Sequence, residues 1–283
     1  MKMTTTQLIA IEEGKKQRSR LTKMVERAIR SSLGSQYPHT YIYSPPGLGK
    51  SYTVNRYLNS NNALYFEVSG AVSMFAFGIS LATIKWSFPN QKVIISVDDC
   101  DVLFKNEEHI NIMKNVLSGS KVYAYQKNIN SQLGNLSELQ RAAVENFATD
   151  HQMGFRVPCE NFVFIFTSNF KLPTDDEASK TRVKNISSRK THLNAIRSRC
   201  NTLDLELSKI GHYGWLADVM LNDMNLQINH KEEILNWIWR NWDCLNERSI
   251  RTLEKMSQSI IDDPTNYTDL WEMDFLNDDS LWT

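Results

Sequence analysis

The strongest constraint on the fold of this 283-residue chain comes from two apolar runs in which polar and apolar residues do not alternate. They are KVIISVDD (Lys92–Asp99) and ENFVFIFTSN (Glu160–Asn169). Strands with one solvated face alternate, whereas strands buried on both faces are continuously apolar, as in parallel sheets covered by helices. We therefore predict an α/β fold, a three-layer sandwich with a parallel sheet between helices.

Three further runs complete a predicted five-stranded sheet: HTYIYS (His39–Ser44), ALYFEVSG (Ala63–Gly70) and TLDLEL (Thr202–Leu207). After Ile210 the pattern is helical only, which predicts a small all-helical domain with Asn229 and Asn246 as helix N-caps. The predicted divisions are an amphipathic N-terminal helix (1–34), an α/β core (35–208) with an insertion at about 118–158, a helical domain (209–262) and a tail (263–283).

Composition and charge narrow the class of protein. Lys plus Arg and Asp plus Glu each total 32, so the net charge of zero provides no overall attraction to a polyanion. The 4 cysteines are scattered without a C-x-x-C pair, which argues against a zinc site or a disulfide framework and favours a reducing compartment. No apolar run approaches the roughly 20 residues that cross a bilayer. We expect a cytoplasmic protein with no membrane partner.

Charge is unevenly placed at the two ends of the chain. The N-terminal helix carries eight basic residues against three acidic ones, which suits either a solvated face or contact with nucleic acid. The tail mixes acidic and aromatic residues, including Asp269, Trp271 and Trp282. Such a tail either docks on a partner or packs back onto the helical domain.

The segment YSPPGLGKSYTV (Tyr43–Val54) lies between a predicted strand and a predicted helix. Its core, SPPGLGKS, matches the phosphate-loop pattern G-x-x-x-x-G-K-[ST] except that Ser44 replaces the first glycine. Glycines let backbone N–H groups converge on an anion, the helix start adds positive potential, and the lysine adds a full charge. The predicted phosphate-binding residues are Pro46, Gly47, Leu48, Gly49, Lys50, Ser51 and Tyr52. The alternative is a turn that only starts a helix.

A second pattern supports the first. The predicted strand VIISV ends in Asp98 and Asp99, at the same edge of the sheet as the loop that follows HTYIYS. We predict that Ser51 and Asp98 hold Mg²⁺ and that Asp99 polarises the attacking water. The alternative is that the two acidic residues only cap the next helix.

In the order and spacing of five motifs the chain resembles the AAA+ ATPases over about residues 35–261. The two motifs above resemble that family's Walker A and Walker B. FTSN resembles sensor 1, with Asn169 helping to place the water. AIRSRC resembles the arginine-finger box, with Arg199 reaching the nucleotide of a neighbouring subunit. ERSIRTL resembles sensor 2, with Arg251 as the first candidate and Arg248 as the second.

The resemblance implies a P-loop fold with a helical lid, ATP and Mg²⁺ as ligands, and a ring of five or six subunits, identical or different. It implies catalytic roles for Asp99, Asn169, Arg199 and Arg251. Two residues depart from the family pattern. Ser44 stands for a glycine, and Asp99 stands for the usual glutamate, which makes the base one methylene shorter. We therefore expect slow hydrolysis.

The insertion resembles segments of AAA+ proteins from bacteriophages and mobile elements, and the Ser-Arg-Cys box resembles that of clamp loaders. These likenesses imply a loader or remodeller in DNA replication or repair, in a bacterial or phage-infected cell, with DNA or a replication protein as partner. One alternative is a protein-remodelling motor that grips its substrate with Met74 or Phe75. The other is a subunit that binds ATP as a structural switch. Tyr123 and Tyr125 suit either base stacking or a plain hairpin.

Overall fold

The computed structural model describes residues 3–31, 38–70, 72–99, 101–149, 154–174 and 184–276, with the backbone alone described for 101 and 184–189. The chain forms two compact units. The helical unit consists of Met1–Thr22, Pro45–Lys50 and Leu205–Thr283. The sheet unit consists of Lys23–Ser44 and Ser51–Asp204.

The sheet unit is built on five strands: β1 (Thr40–Tyr43), β2 (Tyr65–Ser69), β3 (Val93–Asp98), β6 (Phe162–Ser168) and β7 (Asn201–Asp204). Their order in the sheet is β2-β3-β6-β1-β7, and every neighbouring pair is parallel. This confirms the predicted α/β class and the five-stranded parallel sheet. A separate antiparallel pair lies in the predicted insertion, between β4 (Val122–Tyr125) and β5 (Phe155–Pro158).

The core of the sheet unit explains the continuous apolar runs. All 7 residues of β6 are buried, and so are the first five of β3, because both strands are central and covered on both faces. Phe164 and Phe166 lie on the same face of β6 with stacked rings 5.8 Å apart. The edge strand β2 buries only Val68, because it has a neighbour on one side alone.

Helices of both units account for most of the rest of the described chain. In chain order they are α1 (Thr5–Arg30), α2 (Lys50–Ser60), α3 (Met74–Ser87), α4 (Glu107–Val116), α5 (Asn130–Leu133), α6 (Glu138–Asn146), α7 (Lys184–Arg197), α8 (Lys209–Asp223), α9 (Ile228–Arg240), α10 (Ile250–Asp262) and α11 (Tyr267–Phe275). None of the helices described is long and apolar enough to pass through a lipid bilayer.

The aromatic residues considered for gripping a polymer pack inside the sheet unit. Tyr123 is fully buried, and its hydroxyl donates to the carbonyl of Met74, which is itself buried. The ring of Phe75 lies 5.3 Å from that of Tyr125 and 6.2 Å from that of Phe155. Tyr123 and Met74 therefore form part of the hydrophobic core, and their side chains are not accessible to a substrate.

The first half of α1 belongs to the helical unit, where one of its basic residues is neutralised. Arg18 forms ion pairs with Asp218 (2.7 Å) and Asp223 (2.6 Å) of α8. At the other end of α1, in the sheet unit, Lys92 donates to the carbonyls of Ala28, Ile29 and Ser31. These contacts satisfy helix-terminal carbonyls that have no partner within the helix.

The tail packs back onto the helical unit as far as it is described. Trp271 of α11 is fully buried, its indole N–H donates to Ser259 Oγ (2.7 Å), and its ring lies 5.7 Å from that of Trp237. This supports the packing alternative for Tyr267–Phe275. Trp282, at the end of the tail, lies outside the described residues.

The two predicted N-caps were wrong. Helix α9 begins at Ile228, so Asn229 lies inside it. Helix α10 begins at Ile250, where Ser249 Oγ accepts from the N–H of Thr252. Asn246 instead donates its side-chain amide to the carbonyl of Leu276. The cap of α10 is thus a serine within the sequence ERSIRTL.

His39, just before β1, is buried in the sheet unit with 1% of its surface exposed. The N–H of Phe164 donates to Nδ1 of His39 (3.2 Å), so that nitrogen carries no proton. For Nε2 there is no hydrogen-bond partner among the described residues. Burial, with a smaller contribution from the charge of Lys121, lowers the pKa of His39 from 6.5 to about 3.

We expect the free energy of unfolding to fall as the pH drops below about 6.5, because His39 then gains a proton in the unfolded chain but not in the folded one. The contribution of His39 amounts to about 2 kcal/mol between pH 7.5 and pH 5. His39→Gln keeps an acceptor for Phe164 and does not titrate, so urea unfolding at the two pH values should show a shallower dependence. An unchanged dependence would contradict the assignment.

Candidate functional site

Three loops follow strands at the same edge of the sheet, because β1, β6 and β3 are adjacent and parallel. Tyr43 pairs with Ser168, and Asp98 pairs with Thr167, at the carboxyl ends of the strands. The N–H of Ser44 donates to the carbonyl of Ser168 (3.3 Å). The glycine loop therefore begins at the same edge of the sheet as Asp98, Asp99 and Asn169.

A cluster of two hydroxyls and one carboxylate lies at this edge. Ser51 Oγ, in the first turn of α2, donates to Asp98 Oδ1. Thr167 Oγ1, on the neighbouring strand β6, donates to the same oxygen (2.5 Å). The structure thus brings together Ser51 and Asp98, the two predicted metal ligands. Thr167 was missed by sequence reasoning, although it stands two residues before Asn169 in the same motif.

The donor set at Ser51 and Asp98 fits Mg²⁺. Both side chains offer oxygen atoms, which are the ligands that this hard cation prefers, and Mg²⁺ is usually held by one or two carboxylates together with phosphate oxygens and water. Among the residues that the structure describes, no group of three or more His, Cys, Asp or Glu side chains could hold a metal on its own. Ser51 and Asp98 alone do not fill the octahedral coordination of Mg²⁺, so oxygens of water or of a bound ligand would complete it.

Asp99, the next residue, adopts a left-handed backbone with φ of +48°. Aspartate and asparagine are among the few residues other than glycine that tolerate this conformation, and such backbones cluster at functional sites. The N–H of Asp99 donates to the carbonyl of Thr167 (3.1 Å), and Asn169 Nδ2 donates to Asp99 Oδ1 (3.1 Å). Asp99 and Asn169 are both exposed. A solvent-facing carboxylate oriented by an amide can accept a proton from water.

The glycine loop itself belongs to the helical unit from Pro45 to Lys50. Gly47 (φ +86°) and Gly49 (φ +64°) are both left-handed, a conformation that costs other residues roughly 1–2 kcal/mol. A backbone that alternates in this way turns successive N–H groups into an anion-binding concavity.

The other predicted phosphate-binding residues differ in exposure. Lys50 is 6% exposed, and its ammonium donates to the carbonyl of Pro45 (3.4 Å). Pro46 is exposed. Tyr52, in the sheet unit, is also exposed.

The C-terminal helices hold this loop by its carbonyl groups. Gly47 O accepts from the N–H of Ile250 (2.9 Å), and Leu48 O accepts from the indole N–H of Trp215 (2.7 Å). A Cβ atom added to Gly47 would lie 2.7 Å from Cβ of Ser249, so the approach itself requires glycine. No motif in the sequence marks Trp215, and sequence reasoning missed it.

The two arginines of ERSIRTL differ in their surroundings. Arg248 Nε donates to the carbonyl of Trp242 (2.8 Å), and its guanidinium lies 5.7 Å from the centre of that ring. Arg251 is exposed in the first turn of α10, one residue after Ile250. Within the helical unit, Arg251 therefore remains the better candidate for a ligand contact.

The two arginines of AIRSRC also differ. Arg197 pairs with Asp204 (2.9 Å) and donates to the carbonyl of Leu172 (3.1 Å), so it ties α7 to neighbouring segments of the sheet unit. Arg199 is half-buried in the turn after α7, and its guanidinium donates to the carbonyl of Ala195 (2.5 Å). Arg199 therefore retains more freedom to reach another molecule.

The predicted site residues are far apart in sequence. The sheet unit unites Ser51, Asp98, Asp99 and Asn169, and the helical unit contains the loop from Pro45 to Lys50 and Arg251. The sequence matches no protein-family model, and no curated protein proves similar to it.

Proposed function

We propose that the chain is a Mg²⁺-dependent ATPase of the AAA+ type that works in an oligomer. The observation that carries the proposal is the hydrogen bond between Ser51 and Asp98 at the carboxyl edge of a parallel sheet. These residues come from two separately predicted motifs, 47 positions apart, and their contact supports the interpretation that the two motifs form one site.

Each part of the proposed site has a chemical role. The segment from Pro46 to Tyr52 binds the phosphates through backbone N–H groups, the positive start of α2 and the ammonium of Lys50. Ser51 and Asp98 hold Mg²⁺, which supplies positive charge against the negative charge of the transferred phosphoryl group. Asp99 accepts a proton from the attacking water, and Asn169 orients Asp99 through the hydrogen bond between them.

The proposed assembly supplies the remaining charge. Arg199 of one subunit stabilises the γ-phosphate bound by the next, while Arg251 reaches the phosphates of its own subunit. In related nucleotide hydrolases an arginine supplied by a neighbouring molecule raises kcat on the order of 10³–10⁵-fold. A lone subunit is therefore expected to be nearly inactive. We propose a ring of five or six subunits in which assembly switches hydrolysis on.

For the work that this ATPase performs, we propose loading or remodelling in DNA replication or repair of a phage-like element, in the cytoplasm of a bacterial host. The protein-threading alternative is less supported, because Met74, one of its two candidate residues, is buried. The burial of Tyr123 argues in turn against base stacking by that residue. The alternative of an ATP-binding switch with little turnover has one specific observation in its favour, since Asp99 replaces the longer glutamate usual in the family.

The proposal is tested by titrating the protein with a fluorescent ATP analogue, with and without Mg²⁺. Wild-type protein is expected to bind in a Mg²⁺-dependent manner, and Lys50→Met should weaken the affinity by about 10- to 100-fold, because a charged partner of the phosphates is lost. Lys85→Met is the matched control: Lys85 is 7% exposed against 6% for Lys50, and its ammonium bonds Glu160 and Asn161 instead.

Lys85→Met is expected to lower the melting temperature and to leave the nucleotide affinity within about twofold. Wild-type protein that binds no nucleotide, or a Lys50 variant that binds as well as the wild type, would overturn the proposal. Stimulation of phosphate release by single-stranded DNA, weakening with added salt, would support the DNA assignment.

A further inference from the structure

Two successive carbonyls of the glycine loop are occupied by the C-terminal helices. Leu48 O accepts from the indole N–H of Trp215 in α8 (2.7 Å), and Gly47 O accepts from the N–H of Ile250, the first residue of α10 (2.9 Å). All four residues belong to the helical unit. Trp215 is 0% exposed and Leu48 is 1% exposed, so the hydrogen bond between them is shielded from solvent.

Because a peptide unit is planar, the direction of each carbonyl also fixes the direction of the N–H group of the next residue. The C=O and N–H of one trans peptide unit point in opposite directions, and the described peptide bonds include no cis bond. Because the carbonyl of Gly47 faces α10, the N–H of Leu48 points away from α10. Because the carbonyl of Leu48 faces Trp215, the N–H of Gly49 points away from Trp215.

We propose that Trp215 and the backbone N–H of Ile250 are positioning residues that hold the amides of Leu48 and Gly49 in the orientation that binds a phosphate chain. This inference rests on the proposed function, since it assumes that the loop binds the phosphates of a nucleoside triphosphate. Neither group touches the phosphates. Their effect is on the polyphosphate part of the ligand, because the amides that they orient contact only that part.

Trp271 offers a matched comparison for a purely structural role. Like Trp215, it is 0% exposed in the helical unit, and its indole N–H makes a hydrogen bond of 2.7 Å. Its acceptor is Ser259 Oγ in α10, whereas that of Trp215 is a loop carbonyl. Replacing either tryptophan with phenylalanine keeps a large aromatic ring and removes one buried donor, so loss of stability is common to both variants.

The test compares Trp215→Phe and Trp271→Phe in the full chain. The affinity for Mg²⁺–ATP and for inorganic tripolyphosphate is measured by competition with a fluorescent ATP analogue. Trp215→Phe is expected to weaken both ligands by the same factor, about tenfold. Trp271→Phe is expected to lower the melting temperature to a similar degree while leaving both affinities within about twofold.

A second variant removes the other hydrogen bond. Ile250→Pro deletes the N–H that serves Gly47, and proline is well tolerated at the first position of a helix. The preceding residue, Ser249, already has the extended backbone (φ −139°, ψ 167°) that a following proline requires. The control is Glu138→Pro at the first residue of α6, where the preceding Ser137 is also extended. Only Ile250→Pro is expected to weaken tripolyphosphate binding.

A spectroscopic measurement separates orientation from simple stability. With ¹⁵N-labelled tryptophan the protein gives indole signals from its 7 tryptophans, and the signal missing from Trp215→Phe identifies Trp215. That signal is expected to shift when tripolyphosphate is added, whereas the signal missing from Trp271→Phe should stay in place. The Trp271 signal thereby controls for general changes in the fold when the ligand binds.

Failure of the inference and failure of the proposed function would give different results. Wild-type protein that binds neither Mg²⁺–ATP nor tripolyphosphate would overturn the proposed function and with it the inference. Wild-type protein that binds both, with Trp215→Phe and Ile250→Pro binding as tightly as their controls, would overturn the inference alone. Should Trp215→Phe fail to fold, Ile250→Pro and its control decide the matter.

Discussion

Arg199→Ala is expected to lower the kcat of ATP hydrolysis by about 10³-fold or more, with little change in the affinity for ATP. The expected reason is that Arg199 acts on charge that develops in the active site of a neighbouring subunit. The structure supports this choice over Arg197, because Arg197 is held by Asp204 and by the carbonyl of Leu172 within the sheet unit. The measurement is phosphate release over a range of protein concentrations.

Mixing variants tests whether the arginine acts in trans. Subunits with Arg199→Ala keep all residues of the proposed nucleotide site, and subunits with Lys50→Met keep Arg199. Each variant alone should be nearly inactive. Their mixture should regain activity wherever a Lys50→Met subunit supplies its Arg199 to the proposed nucleotide site of a neighbouring Arg199→Ala subunit. Arg197→Ala is the control, expected to lower stability through the lost pair with Asp204. A mixture as inactive as its components would contradict a trans-acting Arg199.

Much of the sheet could be predicted because β3 and β6 are buried on both faces, and such strands appear in the sequence as continuous apolar runs. The residue at which β7 ends could not be predicted. The run TLDLEL predicted a strand as far as Leu207, but β7 ends at Asp204. Leu205 is buried all the same, in the part of the chain that belongs to the helical unit. An apolar residue reports burial, and burial alone does not tell which element provides it.

Candidate site residues were predictable where the chemistry is local. Lys50 and Ser51 follow the glycines directly, and Asp98 follows a buried strand, so short patterns suffice to find them. Trp215 lies 167 positions from Leu48, and its hydrogen bond follows from tertiary packing alone. The side chain of Tyr123 is a similar case. Its aromatic and basic surroundings suited base stacking, yet the long-range contact with Met74 buries it.

Asp99→Asn is expected to lower kcat by about 10²–10⁴-fold, the usual cost of losing a general base. Asparagine is a clean substitution here, because the backbone at Asp99 is left-handed (φ +48°) and asparagine tolerates that conformation as well as aspartate does. The fold and the ATP affinity should therefore be preserved. Phosphate release in single-turnover conditions, with the melting temperature as the check on folding, provides the measurement.

Asp99→Glu provides the opposite test. The longer side chain gives the Asp-Glu ending that is usual in AAA+ ATPases, so kcat is expected to rise, while the left-handed backbone should lower stability by about 1 kcal/mol. Because Asn169 donates to Asp99 Oδ1 at 3.1 Å, the gain should also depend on Asn169. If Asp99→Asn, Asp99→Glu and the wild type all release phosphate at one slow rate while binding ATP equally, Asp99 is not a base. The chain would then use ATP as a switch, because nucleotide occupancy would matter and turnover would not.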